Sequence, residues 1–409
     1  MRDHKKNKDL GTQDTVRPLI FVSEEERYRS FGAAMDRIHR EARSKVGEED
    51  LNYIRNVDRF SRGCEVAGRT LLLAGPGPVS FAVGCGFLWL YKQLQATEIG
   101  HTVLHGAFNR IDAEGAEQYH NATYLWQTPI DDKAWIAGHN GKHHGLTNVY
   151  GADPDVTFGQ TRLTEDTPHR WPHYFQVPAT LVAFPLFSPA MALHLSGVLD
   201  FYIRSEDEPK AMVGDDMSDE RRKEAWKTFA RKAGPYYAME FVVYPALAGF
   251  RFFRMLAGNV ITEAMRDVYT AATIHCGHVG GDCAHYPEGT RPHGKGERYA
   301  MQVASANNFE VPWAVSVLCG ALDLQIEHHL FPSLPTNRLR EVAPKVREAC
   351  EAHGVEYKTD TWPRTLGRAF KHLWRLSFPT ERDKARQRDL ETDPEERVVE
   401  TEVAGPAAA

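Results

Sequence analysis

The chain has 409 residues, which is enough for one large domain or two ordinary domains with a substantial core. Its formal net charge is -6, and acidic and basic residues are interspersed, so the basic surface that a nucleic-acid partner needs is not expected. Six cysteines form no CxxC pair and no regular framework, which favours reduced thiols in a protein that faces the cytosol.

The N-terminal region is polar and then amphipathic. Residues 1–22 are predicted to be disordered, and their polar composition lacks the apolar core of a secretory signal. In residues 23–58, apolar positions such as Phe31, Met35 and Ile38 recur at helical spacing. We therefore expect two amphipathic cytosolic helices in this region.

The first apolar stretch has no charged residue between Arg69 and Lys92 and is long enough to cross a membrane. The sequence Gly-Pro-Gly-Pro at 75–78 interrupts it, and prolines flanked by glycines break helices. We expect a bend there, with a new helix from about Pro78 that runs on to the first histidines.

Two further apolar stretches follow, at 171–199 and 235–261. The first contains several prolines, among them Pro178, Pro185 and Pro189, and the second contains Glu240 and two arginines, so the number of membrane crossings stays open. Residues 311–322 are apolar but too short to span, and we interpret them as a buried helix that leads to Gln325.

The C-terminal part is polar and amphipathic. The pattern from Leu339 predicts an amphipathic helix up to about residue 350, followed by a cytosolic segment at 351–381. Residues 382–409 are charged and then alanine-rich, and disorder is expected there.

Histidines are the most informative feature of the sequence, with 19 in all. They cluster in three motifs: HTVLH at 101–105, HNGKHH at 139–144 and QIEHH at 325–329. Each motif contains polar side chains three or four residues apart, which share one face of an α-helix and suit a metal site. A single such motif is more often structural, but three of them favour a common metal centre.

A fourth group contains His275, Cys276 and His278, with Cys283 and His285 just behind. Read locally, it is compatible with a Cys/His zinc site. The better interpretation is a ligand for the same centre as the three motifs. Eight or more imidazoles exceed what one tetrahedral zinc ion can use, whereas two iron ions could accept them all.

In this order, HTVLH, HNGKHH and QIEHHLFP resemble the three histidine boxes of the membrane fatty acid desaturase family, and the resemblance covers about residues 60–350. It implies an all-α integral membrane protein, multi-pass, with a cytosolic helical cap that carries a histidine-rich di-iron site. The desaturase domain would span residues 59–350. The implied metal ligands are His101, His105, His139, His143, His144, His278, His328 and His329.

Two positions depart from the simplest form of that pattern. Gln325 stands where many members carry histidine, and its amide oxygen is a weaker candidate ligand. His275 is a candidate for a metal ligand or for a residue that contacts a ligand or bound water. No catalytic side chain is expected beyond the di-iron centre, because no acid or base can attack an unactivated C–H bond at a useful rate.

The resemblance implies an enzyme that introduces a double bond into an acyl chain bound to CoA, a carrier protein or a lipid. The reaction consumes O2 and two electrons. No His-Pro-Gly-Gly haem motif occurs, so a separate donor is expected, either ferredoxin or cytochrome b5 with its reductase.

Two alternatives stay open at the level of the sequence. A related di-iron enzyme that hydroxylates or decarboxylates the acyl chain would carry the same boxes. A metal-binding membrane transporter or sensor is the alternative of a different class, but its histidines would line a path between spanning helices rather than lie at helix ends.

Overall fold

The computed structural model describes residues 19–158, 161–203 and 208–391. These residues are mostly helical, as the sequence predicts. The α-helices are α1 (Glu24–Ser44), α2 (Glu48–Ala74), α3 (Gly77–Leu94), α4 (Thr102–Leu104), α5 (Asp132–Trp135), α6 (Gln176–Ala183), α7 (Phe187–Leu195), α8 (Val198–Tyr202), α9 (Asp219–Ala238), α10 (Tyr244–Leu247), α11 (Phe252–His278), α12 (Lys295–Ala304), α13 (Trp313–Cys319), α14 (Gln325–Leu330), α15 (Thr336–Ala352), α16 (Trp362–Leu376) and α17 (Glu381–Glu391).

The remaining regular elements are short. Three segments are π-helices: Gln95–His101, Ile136–His143 and Met239–Val243. Six segments are 3₁₀-helices. Five of them link or extend the α-helices, namely Ala116–Tyr119, Pro154–Thr157, Trp171–Phe175, Phe184–Leu186 and Gly249–Arg251. The sixth, Leu322–Leu324, precedes α14. Strands β1 (Asn308–Glu310) and β2 (Thr359–Thr361) form a parallel pair in which Asn308 lies opposite Thr359.

The N-terminal helices form as predicted, and α1 packs against the third histidine motif. The Ser23 side chain caps α1 by accepting a hydrogen bond from the backbone N–H of Glu26. Phe31 and Met35 of α1 are buried in one apolar core with Ile326 of α14, and this core also includes α15. The cap therefore helps to fix the third motif. α2 continues without interruption past the predicted boundary at residues 58–59, which falls inside a helix.

The predicted bend within the first apolar stretch is confirmed. α2 ends at Ala74, Gly75 and Pro76 are extended, and α3 begins at Gly77. α3 then passes directly into the π-helix that ends at His101. The first histidine motif thus lies at the end of a long, nearly continuous helical segment.

One helical stretch of the described residues, Trp171–Leu195, is long and apolar enough to cross a membrane by length and composition. It comprises a 3₁₀ turn, α6, a second 3₁₀ turn and α7. The stretches at 69–92 and 235–261 also form helices, but none of these helices is both long enough and apolar enough by the same measure.

Segment 311–322 differs in part from its prediction. α13 forms within it, but only one face is covered, and Trp313 is 69% exposed. After α13 the chain reverses through Gly320, which has a φ of 68°. A side chain there would collide with the backbone of Thr97, so glycine allows this turn to pack against the first motif's helix and to aim the chain at Gln325.

The C-terminal part also departs from one prediction. α15 confirms the expected amphipathic helix. However, α17 lies at the start of the segment 382–409, for which disorder was expected. Its Asp383 is buried and accepts hydrogen bonds from Arg162 and from the backbone of His169, and such distant partners leave no local signal in the sequence. The rest of that segment, and residues 1–18 of the N-terminal tail, lie outside the described residues.

Candidate metal centre

The first histidine motif begins at the end of a π-helix rather than within a regular α-helix. The indole Nε1 of Trp126 donates to the carbonyl oxygens of Gln95 and Ala96, at the start of this π-helix. His101 ends it, and the backbone N–H of His105 donates to the carbonyl of His101. Insertions into the α-helical hydrogen-bond pattern commonly mark functional sites.

The second motif is also π-helical, which corrects the α-helical spacing assumed from the sequence. The backbone N–H of His144 donates to the carbonyl of His139, five residues earlier. Consequently His139 and His144 face each other, with their Nε2 atoms 3.2 Å apart. An α-helix would instead have aligned His139 with His143.

The third motif forms α14, and all six of its residues are buried. The Asn308 side chain of β1 holds α14 in place through two hydrogen bonds. Asn308 Oδ1 accepts from the backbone N–H of Ile326, and Asn308 Nδ2 donates to the Glu327 carboxylate. Tyr357, which precedes β2, donates its hydroxyl to the same carboxylate. The C-terminal segment thereby helps to hold the motif against the core.

The ring nitrogens of the three motifs and of His278 converge. Atoms able to bind a metal lie within 4.8 Å of one another in three overlapping sets that consist of histidines alone. These sets are His101 with His105, His139 and His328; His143 with His278 and His329; and His144 with His328 and His329. All eight histidines that the sequence analysis singles out as ligands thus take part. Neighbouring sets share His328 and His329, so the sets lie side by side in one cluster that could hold metal.

These residues fit a metal by an independent criterion. His105 Nε2 and His328 Nε2 are buried and have no hydrogen-bond partner among the described residues. Buried polar atoms are nearly always paired, and a bound cation would satisfy them. Burial also lowers the pKa of His139 and His144 well below the usual value. Neutral imidazole is the form that binds metals, and nitrogen donors suit iron or zinc.

Residues that the sequence analysis did not single out orient the rings. The Nδ1–H of His143 lies 3.0 Å from both carboxylate oxygens of Asp153. Against the lowering effect of burial, Asp153 and Asp155 raise the pKa of His143 to about 9. His329 Nδ1 lies 3.0 Å from Gln302 Oε1, and His278 Nδ1 lies 3.1 Å from the Ser305 carbonyl. Such contacts leave Nε2 free for an ion.

Asp155 is a further candidate ligand that sequence reasoning missed. One of its carboxylate oxygens belongs to a set with nitrogens of His139 and His143. Burial, together with the charge of Asp153, raises the pKa of Asp155 to about 6 in spite of nearby His143. The only signal in the sequence is an Asp-Pro-Asp segment shortly after the second motif.

Gln325 and His275, the two positions that depart from the simplest form of the family pattern, differ in where they lie. Gln325 lies within the cluster, because its Nε2 is 2.7 Å from His278 Nε2, while its Oε1 is buried without a partner among the described residues. His275 lies apart: its Nδ1 donates to the Ala271 carbonyl, and its ring packs on Phe184. It belongs to none of the metal-binding sets found in the described part of the chain.

The local zinc interpretation of the fourth group is not supported. Cys283 directs its thiol towards the carbonyl of Gly277. No cysteine belongs to the sets of potential metal ligands found within the described ranges. His278 alone of this group joins the histidine cluster.

A mainly apolar cavity opens directly onto the cluster. Its wall includes His101, His139, His143 and His278 on one side. The remaining wall is mainly hydrophobic and includes Trp126, Ile130, Trp135, Phe187, Met191, Leu195, Ile274 and Leu322. Two further cavities share Phe187 with it, and one of them reaches α6 and α8. Apolar side chains therefore lie beside the ring nitrogens on the wall of this cavity.

The fold and site define a helical protein with a buried histidine cluster that could hold metal, beside an apolar cavity. Comparison with known proteins gives the family. Residues 75–361 match the family model described as "Fatty acid desaturase", and the chain belongs to that family, whose members are oxidoreductases.

Individual relatives agree with this assignment. The chain is 31% identical over 387 residues to the NADPH-dependent stearoyl-CoA 9-desaturase of Mycobacterium tuberculosis, covering 90% of this chain and 83% of the relative. It is 26% identical over 302 residues to the acyl-lipid 8-desaturase of Rebecca salina, covering 71% of this chain and 62% of that protein. No solved structure matches the chain.

Proposed function

We propose that this protein is a fatty acyl desaturase that introduces a double bond into an acyl chain, using O2 and two electrons from a separate donor protein. The observation that carries the proposal is the direct contact between the apolar cavity and the histidine cluster. In balance, R–CH2–CH2–R′ with O2, two electrons and two protons gives R–CH=CH–R′ and two water molecules.

Two iron ions are the proposed cofactors. One would be held by the set of His101, His105, His139 and His328, and the other by His143, His278 and His329, with His144 within reach of His328 and His329. When bound, iron with O2 supplies the oxidising power that removes hydrogen from unactivated carbons. Gln325 and Asp155 are additional candidate ligands through their side-chain oxygens.

The side chains prepare this site in three ways. The hydrophobic wall binds the acyl chain, excludes water and fixes which carbons lie beside the metal. Asp153 holds the proton of His143 on Nδ1, so that Nε2 is available to the ion. Gln302 does the same for His329 by accepting from its Nδ1.

The relatives bear on the acyl carrier. The mycobacterial relative is named for stearoyl-CoA, and others are named for acyl lipids, so CoA, carrier-protein and lipid esters are all retained as substrates. The greater identity and coverage with the mycobacterial protein favour an acyl-CoA. For the electron donor, we retain ferredoxin and cytochrome b5 with its reductase.

A multi-pass membrane location with the metal centre on the cytosolic side completes the proposal. Its support is the apolar stretch Trp171–Leu195, together with exposed hydrophobic residues on other helices, such as Phe250 and Phe253, which are 93% and 80% exposed. Exposed apolar surface of this kind is typical of contact with lipid.

Expression in a host of known lipid profile tests the reaction. We expect a new double bond at one position, located by mass spectrometry, and its loss in the His328→Ala variant. A hydroxylated product or an alkane without an internal alkene would instead favour the hydroxylase or decarboxylase alternative.

Metal analysis of the purified protein tests the cofactor. We expect iron, close to two ions per chain, and reduced iron in His328→Ala. One zinc ion and no iron would overturn the di-iron assignment and would favour a metal transporter or sensor.

A further inference from the structure

The exposed face of α16 combines positive charge with aromatic rings. Residues 362–378 contain four basic residues and no acidic residue. Three of these basic residues, Arg364, Lys371 and Arg375, lie on the outer face, where Arg364 and Arg375 are 76% and 57% exposed. Arg364 lies 3.6 Å from Asp360 and Arg375 lies 2.7 Å from Glu165, in ion pairs that stay partly exposed. Trp374 and Phe378 lie on the same face and are 59% and 41% exposed. We call these five residues the α16 stripe.

The opposite face of α16 is anchored to the protein. Ala369 and Leu373 are buried in a core with Leu163 and Val279, and His372 Nε2 donates to the carbonyl of Leu163. Because this apolar face is already covered, burial within the protein does not explain the rings on the outer face. Basic side chains are attracted to anionic headgroups, and exposed aromatic rings concentrate at the level of the headgroups, so a face that combines the two suits a membrane surface.

Aromatic residues from the beginning of the apolar stretch continue the stripe. Tyr174 contacts Phe378 at a ring-centroid distance of 5.9 Å, and Trp374 contacts Phe378 at 5.3 Å. Trp171 and Phe175 beside them are 74% and 60% exposed. Trp and Tyr concentrate at the level of lipid headgroups, which is where a helix that enters a membrane begins.

We infer that the α16 stripe docks on an anionic lipid surface, as an interfacial helix beside the segment Trp171–Leu195. Lys371 forms no ion pair among the described residues, and together with the two exposed arginines it complements anionic headgroups. The rings of the stripe are continuous with those at the beginning of the candidate span. The inference rests on the membrane location in the proposed function. It adds a specific lipid-binding surface in the C-terminal segment, which the sequence analysis placed in the cytosol.

Site-directed spin labelling of the full chain in vesicles tests this. Gly367 lies on the outer face of α16 with open space around it, so Gly367→Cys introduces a label without removing a basic or aromatic residue. Val182→Cys reports on the candidate span, where Val182 is 72% exposed, and Arg37→Cys reports on the exposed face of α1. The native cysteines are all buried, and unsubstituted protein measures their background labelling.

In vesicles of phosphatidylcholine with phosphatidylglycerol, we expect the label at 367 to collide mainly with a lipid-soluble relaxation agent. Its accessibility to a water-soluble agent should be several-fold lower than at Arg37. The inference about the stripe would be overturned if the label at 367 were as water-accessible as the label at 37 while the label at 182 lay in lipid. The membrane location would still stand in that case. Water-accessible labels at both 182 and 367 would overturn the membrane location as well.

Charge removal tests the lipid class. With the label at 367, the variant Arg364→Gln/Lys371→Gln/Arg375→Gln should recover most of the water accessibility that is measured at Arg37. In vesicles of phosphatidylcholine alone, the label at 367 should gain the same water accessibility even when the stripe is not substituted. Lipid contact that is unchanged in both experiments would overturn recognition of anionic headgroups. None of these readouts depends on desaturase activity.

Discussion

Single side chains decide whether the histidine rings present the correct nitrogen to a metal, and Asp153 is the clearest case. It is fully buried and contacts His143 Nδ1 through both oxygens. We expect Asp153→Asn to lower iron affinity about 10-fold to 100-fold, because an amide holds the ring proton less firmly than a carboxylate does. Competition with a graded chelator measures this affinity.

The matched control for that prediction is Asp112→Asn, which changes an exposed aspartate. It should leave iron affinity unchanged. Equal iron affinity in Asp153→Asn and the unsubstituted protein would mean that the His143 contact does not support the metal.

Gly100 provides a second prediction for a single residue. It lies in the first π-helix, and a Cβ atom there would overlap the indole ring of Trp126. We expect Gly100→Ala to destabilise the protein by about 1–3 kcal/mol and to reduce bound iron, because the ring must move away from the helix that carries His101. Thermal unfolding and metal analysis measure the two effects.

Gly86→Ala is the control within the adjoining helix, since nothing lies within 4 Å of its added Cβ. Alanine favours a helix over glycine by about 1 kcal/mol, so this variant should be unchanged or slightly more stable. A similar loss of stability in both variants would indicate a general intolerance of the helix rather than a clash with Trp126.

Among the elements, the contact between the C-terminal segment and α14 has a measurable consequence. Tyr357 donates to Glu327 over 2.9 Å, and Asn308 donates to the same carboxylate over 2.8 Å. Tyr357→Phe removes one of these donors from a fully buried group and should cost about 1–3 kcal/mol of stability. Tyr174→Phe, which changes a half-exposed ring, should cost little. Equal unfolding temperatures for the two variants would contradict a role for this contact.

The same elements indicate what the sequence can and cannot predict. Local patterns were sufficient for the amphipathic helix α1 and for the bend at Gly75 and Pro76, whereas the eight histidines that the structure brings together were singled out by the three motifs and the family resemblance taken together. The π-helical form of the second motif could not be predicted, because its hydrogen-bond pattern depends on packing with distant residues. The same holds for the pairing of Asp383 with Arg162, which are far apart in sequence and leave no local periodicity.

At the scale of the whole molecule, a buried ion-pair network joins the apolar helices. Lys92 of α3 is 1% exposed and lies 2.8 Å from Glu240 and 2.5 Å from Glu263. Arg69 of α2 also contacts Glu240, and Arg266 of α11 also contacts Glu263. Glu240, which interrupts the apolar stretch 235–261, is thus paired with Arg69 and Lys92 at the two ends of the first apolar stretch, which is how ionisable groups are tolerated away from water.

This network predicts the effect of removing its central cation. Lys92→Met leaves two buried carboxylates with one fewer partner, and breaking a buried pair typically costs about 3–5 kcal/mol. Each carboxylate keeps an arginine, so the lower end of that range is expected in thermal unfolding. Lys227→Met removes an ammonium group that is 73% exposed and paired with Glu224, and such surface pairs contribute at most about 1 kcal/mol. If both variants unfold at the same temperature, the network does not hold the helices together, and packing of their apolar faces must do so alone.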